Sequence, residues 1–201
     1  MKLTVPNQLT ILRILLIPFF LYFFTQQDVL AKLMGTILYF IAAATDWYDG
    51  FIARRLNVVT RWGQFMDPLA DKILISSALI VFASLGYVYW WMVNIIIIRD
   101  FLITFLRMYA LHRGKSIVTS QLAKWKTFFQ MVAVFILLVY LNFPASSVHT
   151  SQKYHLGYSH WISILYLLVT LITAVTGLQY LIENRSHVVE IVKRLGKFFY
   201  H

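Results

Sequence analysis

The sequence predicts an all-α, polytopic membrane protein with six transmembrane helices and short amphipathic surface helices. Hydrophobic residues make up 60% of the 201 residues and charged residues only 13%, whereas about a quarter of the residues of a soluble domain are charged. The apolar residues form six long runs, and a helix needs roughly 20 such residues to span a bilayer. Basic residues cluster in alternate connections between the runs, which is typical of membrane proteins.

The six predicted spans end where polar and turn-forming residues replace the apolar ones. Their approximate bounds are 9–25, 30–54, 63–85, 90–111, 122–143 and 159–182. No small-residue cleavage site follows the first span, so we expect it to be retained rather than removed as a signal peptide. A single membrane domain, residues 1–201, accommodates all six spans.

The distribution of Lys and Arg orients these spans. Basic residues lie at the start of the chain, after the second and fourth spans and after the sixth. Because Lys and Arg mark the cytoplasmic side, we expect both termini there. The net charge of +10 then indicates a surface near anionic lipid headgroups and not a nucleic-acid-binding protein. Residues 187–201 alternate apolar and charged residues at helical spacing, which predicts an amphipathic surface helix, with a solvated basic tail as the alternative.

Half of the acidic residues fall near the cytoplasmic ends of the second and third spans. These are Asp46, Asp49, Asp67 and Asp71. Their spacings of three and four residues put each pair on one face of a helix. Buried carboxylates need compensation by protonation, a basic partner or a metal, and all-oxygen ligands select hard cations such as Mg²⁺ or Mn²⁺. The alternative is ion pairing within the protein; the candidate partners are Arg54, Arg55, Arg61 and Lys72.

Small residues flank this acidic cluster. Gly50 follows Asp49 directly and leaves room for a ligand beside the backbone. Arg54 lies four residues later on the same face, where a guanidinium can hold a phosphate bidentately. Ala53 and Gly63 open the helix surfaces further, although close helix packing also favours small residues at such positions.

Two linked motifs carry a resemblance to a known family. Residues 46–54 read D-x-x-D-G-x-x-A-R, and residues 63–71 read G-x-x-x-D-x-x-x-D. This pattern resembles the signature of the CDP-alcohol phosphotransferases, and all eight signature positions are filled. The resemblance implies six transmembrane helices, a homodimer, and an active site open to the cytoplasm.

The resemblance also implies roles for individual residues. It implies that the four aspartates hold two Mg²⁺ or Mn²⁺ ions and that Asp71 is also the catalytic base. It implies a binding site for the CDP-diacylglycerol donor, formed by Asn7, Thr10, Gly50, Ala53, Arg54, Thr60 and Gly63. Thr60 is the weakest of these transfers, because the family places Ser or Thr there.

Further residues narrow the resemblance to one branch of the family. Residues 5–13, residues 99–101, Leu106 with Arg107, and residues 124–127 with Gln130 are similar to the bacterial branch whose acceptor is glycerol 3-phosphate. Asp100 departs from that branch, which more often has Glu, but the charge is kept. The branch implies a multi-pass protein of the bacterial inner membrane.

Cations in the fourth and fifth spans favour the same acceptor. Arg99 and Arg107 are eight residues apart and share a helix face, inside a span where isolated cations are costly. Lys124 and Lys126 enter the fifth span from the cytoplasmic side. Cations converging near an acidic site suit the dianionic phosphate of glycerol 3-phosphate. The alternative is a structural network in which Asp100 pairs with these arginines.

The sequence therefore predicts a metal-dependent enzyme of phospholipid biosynthesis. It would transfer a phosphatidyl group from CDP-diacylglycerol to glycerol 3-phosphate, giving phosphatidylglycerophosphate and CMP. Alternatives within the family use inositol phosphate, serine or phosphatidylglycerol as acceptor. An alternative from another class is a divalent-cation transporter, because carboxylates inside spans also mark ion pathways.

Overall fold

The structure, a computed structural model, describes residues 5–56, 61–112, 121–142 and 160–185. Within these ranges the chain forms six helices and no strand. They are α1 (Val5–Phe24), α2 (Val29–Leu56), α3 (Arg61–Ser84), α4 (Trp90–His112), α5 (Gln121–Tyr140) and α6 (His160–Glu183). The all-α prediction is confirmed, and each helix lies on one of the predicted apolar runs. The predicted surface helix at 187–201 lies outside the described residues.

Helix α1 begins one turn earlier than the apolar run predicts, at Val5. Pro6 does not prevent this, because the first turn of a helix leaves its backbone N–H groups unpaired in any case. The extra turn places Asn7 on the buried face of the helix. Buried residues then recur every three or four positions: Asn7, Thr10, Arg13, Ile17, Phe20 and Phe24. The first half of this face is polar and the second half apolar.

The apolar half of the bundle contains the core. Helix α1 packs on α2 and α3, α3 packs on α4, and α6 packs on α4 and α5. The ring of Phe24 lies 6.1 Å from that of Phe82, which in turn lies 6.4 Å from that of Tyr166. These edge-on contacts join α1, α3 and α6 in the favourable aromatic geometry. A Cβ at Gly35 would lie 2.8 Å from the Phe24 backbone nitrogen, so α2 approaches α1 as closely as glycine allows.

The outer surface of the bundle is apolar. Leu30, Ile98 and Ile182 are each about two-thirds exposed, at 67%, 67% and 70%, and many other large apolar side chains are exposed along the helices. Soluble monomers rarely expose such extensive apolar surface. In the described part of the chain, Asn7–Phe24 and Trp161–Glu183 are long and apolar enough to cross a membrane.

The other predicted spans have shorter apolar stretches or more ionisable residues. Val29–Thr45 and Trp125–Tyr140 are apolar but shorter. In α2 the apolar stretch stops just before Asp46, the first residue of the signature, and in α5 it begins just after Lys124 and includes Lys126. Helices α3 and α4 carry charged residues in their middle. Six membrane spans therefore remain a prediction for this chain.

Candidate active site

Polar side chains from five helices meet toward one end of the bundle. They lie in the first halves of α1, α3 and α5, in the middle of α4 and about two turns before the end of α6. The interacting residues are Thr10, Arg13, Asp67, Asp71, Lys72, Arg99, Asp100, Lys126 and Thr176. They form two groups that adjoin at Asp71 and Lys72 on α3. One group is built on carboxylates and the other on cations.

The carboxylate group joins α1 to α3. The Thr10 hydroxyl donates a 2.6 Å hydrogen bond to Asp67 Oδ1, and Arg13 Nη1 donates one of 2.6 Å to Asp71 Oδ1. The side chain of Arg13 is fully buried, whereas that of Asp71 is 33% exposed. Hydrogen bonds that involve charged partners are short and strong. Helix α1 therefore fixes the orientation of both carboxylates while leaving Asp71 accessible.

These carboxylates have the chemistry of a divalent-cation site. Asp67 and Asp71 are one turn apart on α3 and are only partly buried, and both accept hydrogen bonds that orient them, as metal-ligating carboxylates commonly do. Their oxygen donors suit Mg²⁺ or Mn²⁺. Among the side chains that the structure describes, no group of three or more His, Cys, Asp or Glu residues comes together. Asp46 and Asp49 lie in the last turns of α2, but their side chains are outside the described part.

Three of the predicted donor-binding residues can be placed relative to this group. Asn7 is buried on the same face of α1 as Thr10, and Gly63 is buried one turn before Asp67 on α3. The backbone of α2 carries Gly50, Ala53 and Arg54 in its last turns, and their side-chain environment lies outside the description. Thr60 falls outside the described residues. The structure thus joins Thr10 to Asp67, with Asn7 one turn before Thr10 on α1 and Gly63 one turn before Asp67 on α3.

The cation group is centred on one carboxylate of α4. Asp100 is 3% exposed and accepts hydrogen bonds from the fully buried Lys126 ammonium and, at 3.1 Å, from Arg99 Nη1. Lys72 Nζ lies 3.9 Å from the other oxygen of Asp100. Among the described residues, three cations thus face a single anion, and this group carries a net positive charge. Ion pairing of Arg99 with Asp100, one of the alternatives from the sequence, is confirmed, and a role in acceptor binding remains a prediction.

Arg107 lies two turns beyond Arg99 toward the end of α4 and is exposed. Both arginines are close enough to the Tyr180 hydroxyl on α6 to interact with it electrostatically. The two arginines therefore face the same neighbouring helix, in agreement with their predicted shared face. Lys124 belongs to the first turn of α5, and its side chain is outside the described part.

Arg13 is a site residue to which the sequence analysis assigned no role. The candidate ion-pair partners for the aspartates came from the neighbouring segments of α2 and α3, but the structure pairs Asp71 with Arg13 of α1 and brings Lys72 to Asp100. A signal was present, because a cation inside an apolar span is costly and indicates a partner or a function. The carboxylate that Arg13 contacts depends on how α1 packs against the other helices. The spacing of residues along α1 does not specify this packing.

Comparison with known proteins identifies the family of this chain. The chain is 36% identical over 191 residues to the CDP-diacylglycerol–glycerol-3-phosphate 3-phosphatidyltransferase of Bacillus subtilis strain 168, covering 89% of this chain and 94% of that protein. Proteins of the same name from Blochmanniella floridana and Pectobacterium atrosepticum are 43% and 41% identical over 143 residues, or 69% of this chain and 75% and 78% of those proteins. The family model for CDP-alcohol phosphatidyltransferase matches residues 3–172, and the chain therefore belongs to that family.

Proposed function

We propose that this protein transfers the phosphatidyl group of CDP-diacylglycerol to glycerol 3-phosphate, producing phosphatidylglycerophosphate and CMP. The main support for this proposal is that the carboxylate group and the cation group adjoin on α3. Asp71 belongs to the oriented carboxylates, and its neighbour Lys72 belongs to the cation group around Asp100. With divalent ions held by the carboxylates, the pyrophosphate of the donor would lie next to an anionic acceptor held by the cations. The relatives named for this reaction support the same acceptor.

On the donor side, Asp46, Asp49, Asp67 and Asp71 would hold the two divalent ions. When bound, these ions supply positive charge that offsets the charge of the pyrophosphate and of the departing CMP. The donor itself would lie against the small residues and Arg54 of α2, together with Thr60 and the polar face of α1. In this arrangement Thr10 acts on the donor site through Asp67, whose carboxylate it orients.

The chain's own chemistry centres on Asp71. Its carboxylate takes the proton from the acceptor hydroxyl, and the resulting oxygen attacks the phosphorus atom that carries the lipid. The new phosphorus–oxygen bond forms as the bond within the pyrophosphate breaks, and CMP leaves with that electron pair. Arg13 holds Asp71 in place from the buried side. Positioning and charge stabilisation provide most of the rate acceleration in such transfers.

On the acceptor side, the cations of α4 and α5 would bind the phosphate of glycerol 3-phosphate. Arg99, Arg107, Lys124 and Lys126 are the residues concerned, and Lys126, whose ammonium is fully buried on Asp100, contributes its charge through that ion pair. The Asp100 carboxylate offsets part of the repulsion among the buried cations. The positive charge that it does not neutralise is available to bind a dianion. Serine offers a single carboxylate beside its ammonium group and has no need of so many cations.

We place the protein in the bacterial inner membrane, with six spans, both termini and the active site on the cytoplasmic side, and a homodimer as its assembly. The exposed apolar side chains of the helices support a lipid environment. The basic connections at the end that carries the site support the orientation.

An acceptor panel tests the proposed reaction. Purified protein in detergent receives labelled CDP-diacylglycerol and Mg²⁺, with glycerol 3-phosphate, glycerol, serine, inositol phosphate or phosphatidylglycerol as acceptor. We expect CMP release and a labelled phosphatidylglycerophosphate product with glycerol 3-phosphate alone. Equal product with glycerol would contradict the phosphate-binding role of the cations, and product with another acceptor would retain only the broader family activity.

Removal of divalent metal is expected to abolish this activity. Excess EDTA should bring CMP release to background, and Mg²⁺ or Mn²⁺ in excess over the chelator should restore it, because the acidic cluster requires counter-charge to bind a pyrophosphate. The control is EDTA already saturated with Mg²⁺, which should leave the rate unchanged. Full turnover in metal-stripped protein would rule out the two-ion site.

A further inference from the structure

Helix α6 holds the side chain of Arg99 from the side opposite Asp100. Arg99 Nη2 donates a 3.0 Å hydrogen bond to the Thr176 hydroxyl oxygen, while Nη1 donates to Asp100. The Thr176 hydroxyl in turn donates within its own helix to the carbonyl of Ile172, at 2.8 Å. This bond directs the hydroxyl hydrogen away from Arg99 and presents the oxygen as an acceptor.

Gly177 makes room for this arrangement. A Cβ at position 177 would lie 2.9 Å from Arg99 Cγ and 3.5 Å from Arg99 Nε. Contacts below 3.0 Å are too short for a real side chain, so an alanine here would push the aliphatic part of Arg99 away from α6. We call Thr176 and Gly177 together the α6 seat.

The surroundings of the α6 seat are polar and incompletely satisfied. Thr173 and Tyr180 lie one turn to either side of it on α6 and are buried. Among the described residues, the Thr173 hydroxyl, the Tyr180 hydroxyl and Arg99 Nε have no hydrogen-bond partner. Leaving buried donors unpaired is costly. Each of these groups needs an explanation, and an oxyanion bound at the Arg99 guanidinium would supply one for Arg99 Nε.

We propose that the α6 seat positions the Arg99 guanidinium for the phosphate of the acceptor, so that α6 helps to set acceptor affinity. Thr176 and Gly177 are positioning residues, because they act through Arg99. The proposal rests on the proposed function, in which the acceptor carries a phosphate. The seat lies beyond residue 172, where the match to the family model ends, and the signature motifs do not include it.

Matched substitutions on α6 test the proposal. Thr176→Val removes the hydroxyl with little change in shape, and Thr176→Ser keeps it. Thr170→Val is the control, because Thr170 is a buried threonine of the same helix whose hydroxyl bonds the Tyr166 carbonyl. Gly177→Ala tests the same arrangement through the contact with Arg99.

We expect Thr176→Val and Gly177→Ala to raise the apparent KM for glycerol 3-phosphate about tenfold, the low end for a lost hydrogen bond to a charged group, because Asp100 still holds Arg99. The KM for CDP-diacylglycerol should stay close to that of the unmodified protein. Thr176→Ser and Thr170→Val should leave both constants close to it as well. Equal effects of Thr176→Val and Thr170→Val, or a parallel rise in both constants, would overturn the proposal.

A binding measurement separates failure of the seat from failure of the proposed reaction. Inorganic phosphate should raise the Tm of the unmodified protein in detergent. The Thr176→Val variant should need about tenfold more phosphate for the same rise in Tm. If phosphate stabilises the unmodified protein but not Thr176→Val, while glycerol 3-phosphate gives no product, the seat stands and the reaction is wrong. If phosphate stabilises both proteins equally, or neither, the seat is wrong.

Discussion

Substitution of Asp71 by Asn is expected to reduce CMP release by at least about 10²–10⁴-fold, the usual contribution of a general base. The amide cannot take a proton from the acceptor hydroxyl, and it is a poorer ligand for a divalent cation. Its carbonyl oxygen can still accept the hydrogen bond from Arg13, so the helix contact survives. The measurement is single-turnover CMP release at saturating donor and acceptor, together with stabilisation of the folded protein by CDP-diacylglycerol.

Asp28→Asn provides the matched control for this change. Asp28 is exposed at the start of α2, where its carboxylate accepts a hydrogen bond from the Ala31 backbone, and Asn is an equally good residue for that position. We expect normal turnover from this variant. Near-normal turnover of Asp71→Asn, in protein that remains folded and binds donor, would show that Asp71 is neither the base nor an essential ligand.

The sequence predicted the helices well because their physical origin is local. An apolar run of about 20 residues bounded by polar residues has few alternatives to a helix in a membrane protein, and α4 begins at Trp90 as expected. The predicted start of α1, at residue 9, lies one turn after the observed start at Val5, and the cause of this difference is equally local. Pro6 lies before the apolar run, and the first turn of a helix tolerates a proline.

The spacing of the acidic residues was also informative. It placed Asp67 and Asp71 on one helix face, and the structure brings both to the polar face of α1. The partner of Asp71 was not predictable in the same way. Arg13 is 58 residues away in the chain, and the contact depends on the parallel packing of α1 against α3. Packing of this kind is set by side-chain shape across the interface and leaves no periodic signal.

The contribution of α6 was harder still to foresee. Thr176 and Gly177 are common residues in transmembrane helices, where they usually mediate close packing. Neither signature motif falls in this span. Their contact with Arg99 in three dimensions is what distinguishes this threonine and glycine among the described residues of α6.

Removal of the charge on Asp100 is expected to destabilise the fold more than any other single change in the cation group. Asp100→Asn leaves the fully buried Lys126 ammonium and the Arg99 guanidinium without their carboxylate. Breaking a buried ion pair in this way costs about 3–5 kcal/mol, which for a chain of this size corresponds to a fall in Tm on the order of 10 °C. The measurement is thermal unfolding in detergent without substrate.

Lys126→Met should be milder than Asp100→Asn, because Asp100 would keep Arg99 at 3.1 Å and Lys72 at 3.9 Å. The double variant Asp100→Asn with Lys126→Met should be more stable than Asp100→Asn alone, since it removes the buried ammonium that the first change leaves unpaired. The asymmetry follows from the composition of the group: one carboxylate compensates three cations, so each cation is individually more dispensable than the carboxylate. The contrary result would be equal losses of Tm in the two single variants and strictly additive losses in the double variant. It would show that Lys126 and Asp100 do not interact in this way and that other groups balance the positive charge near α3.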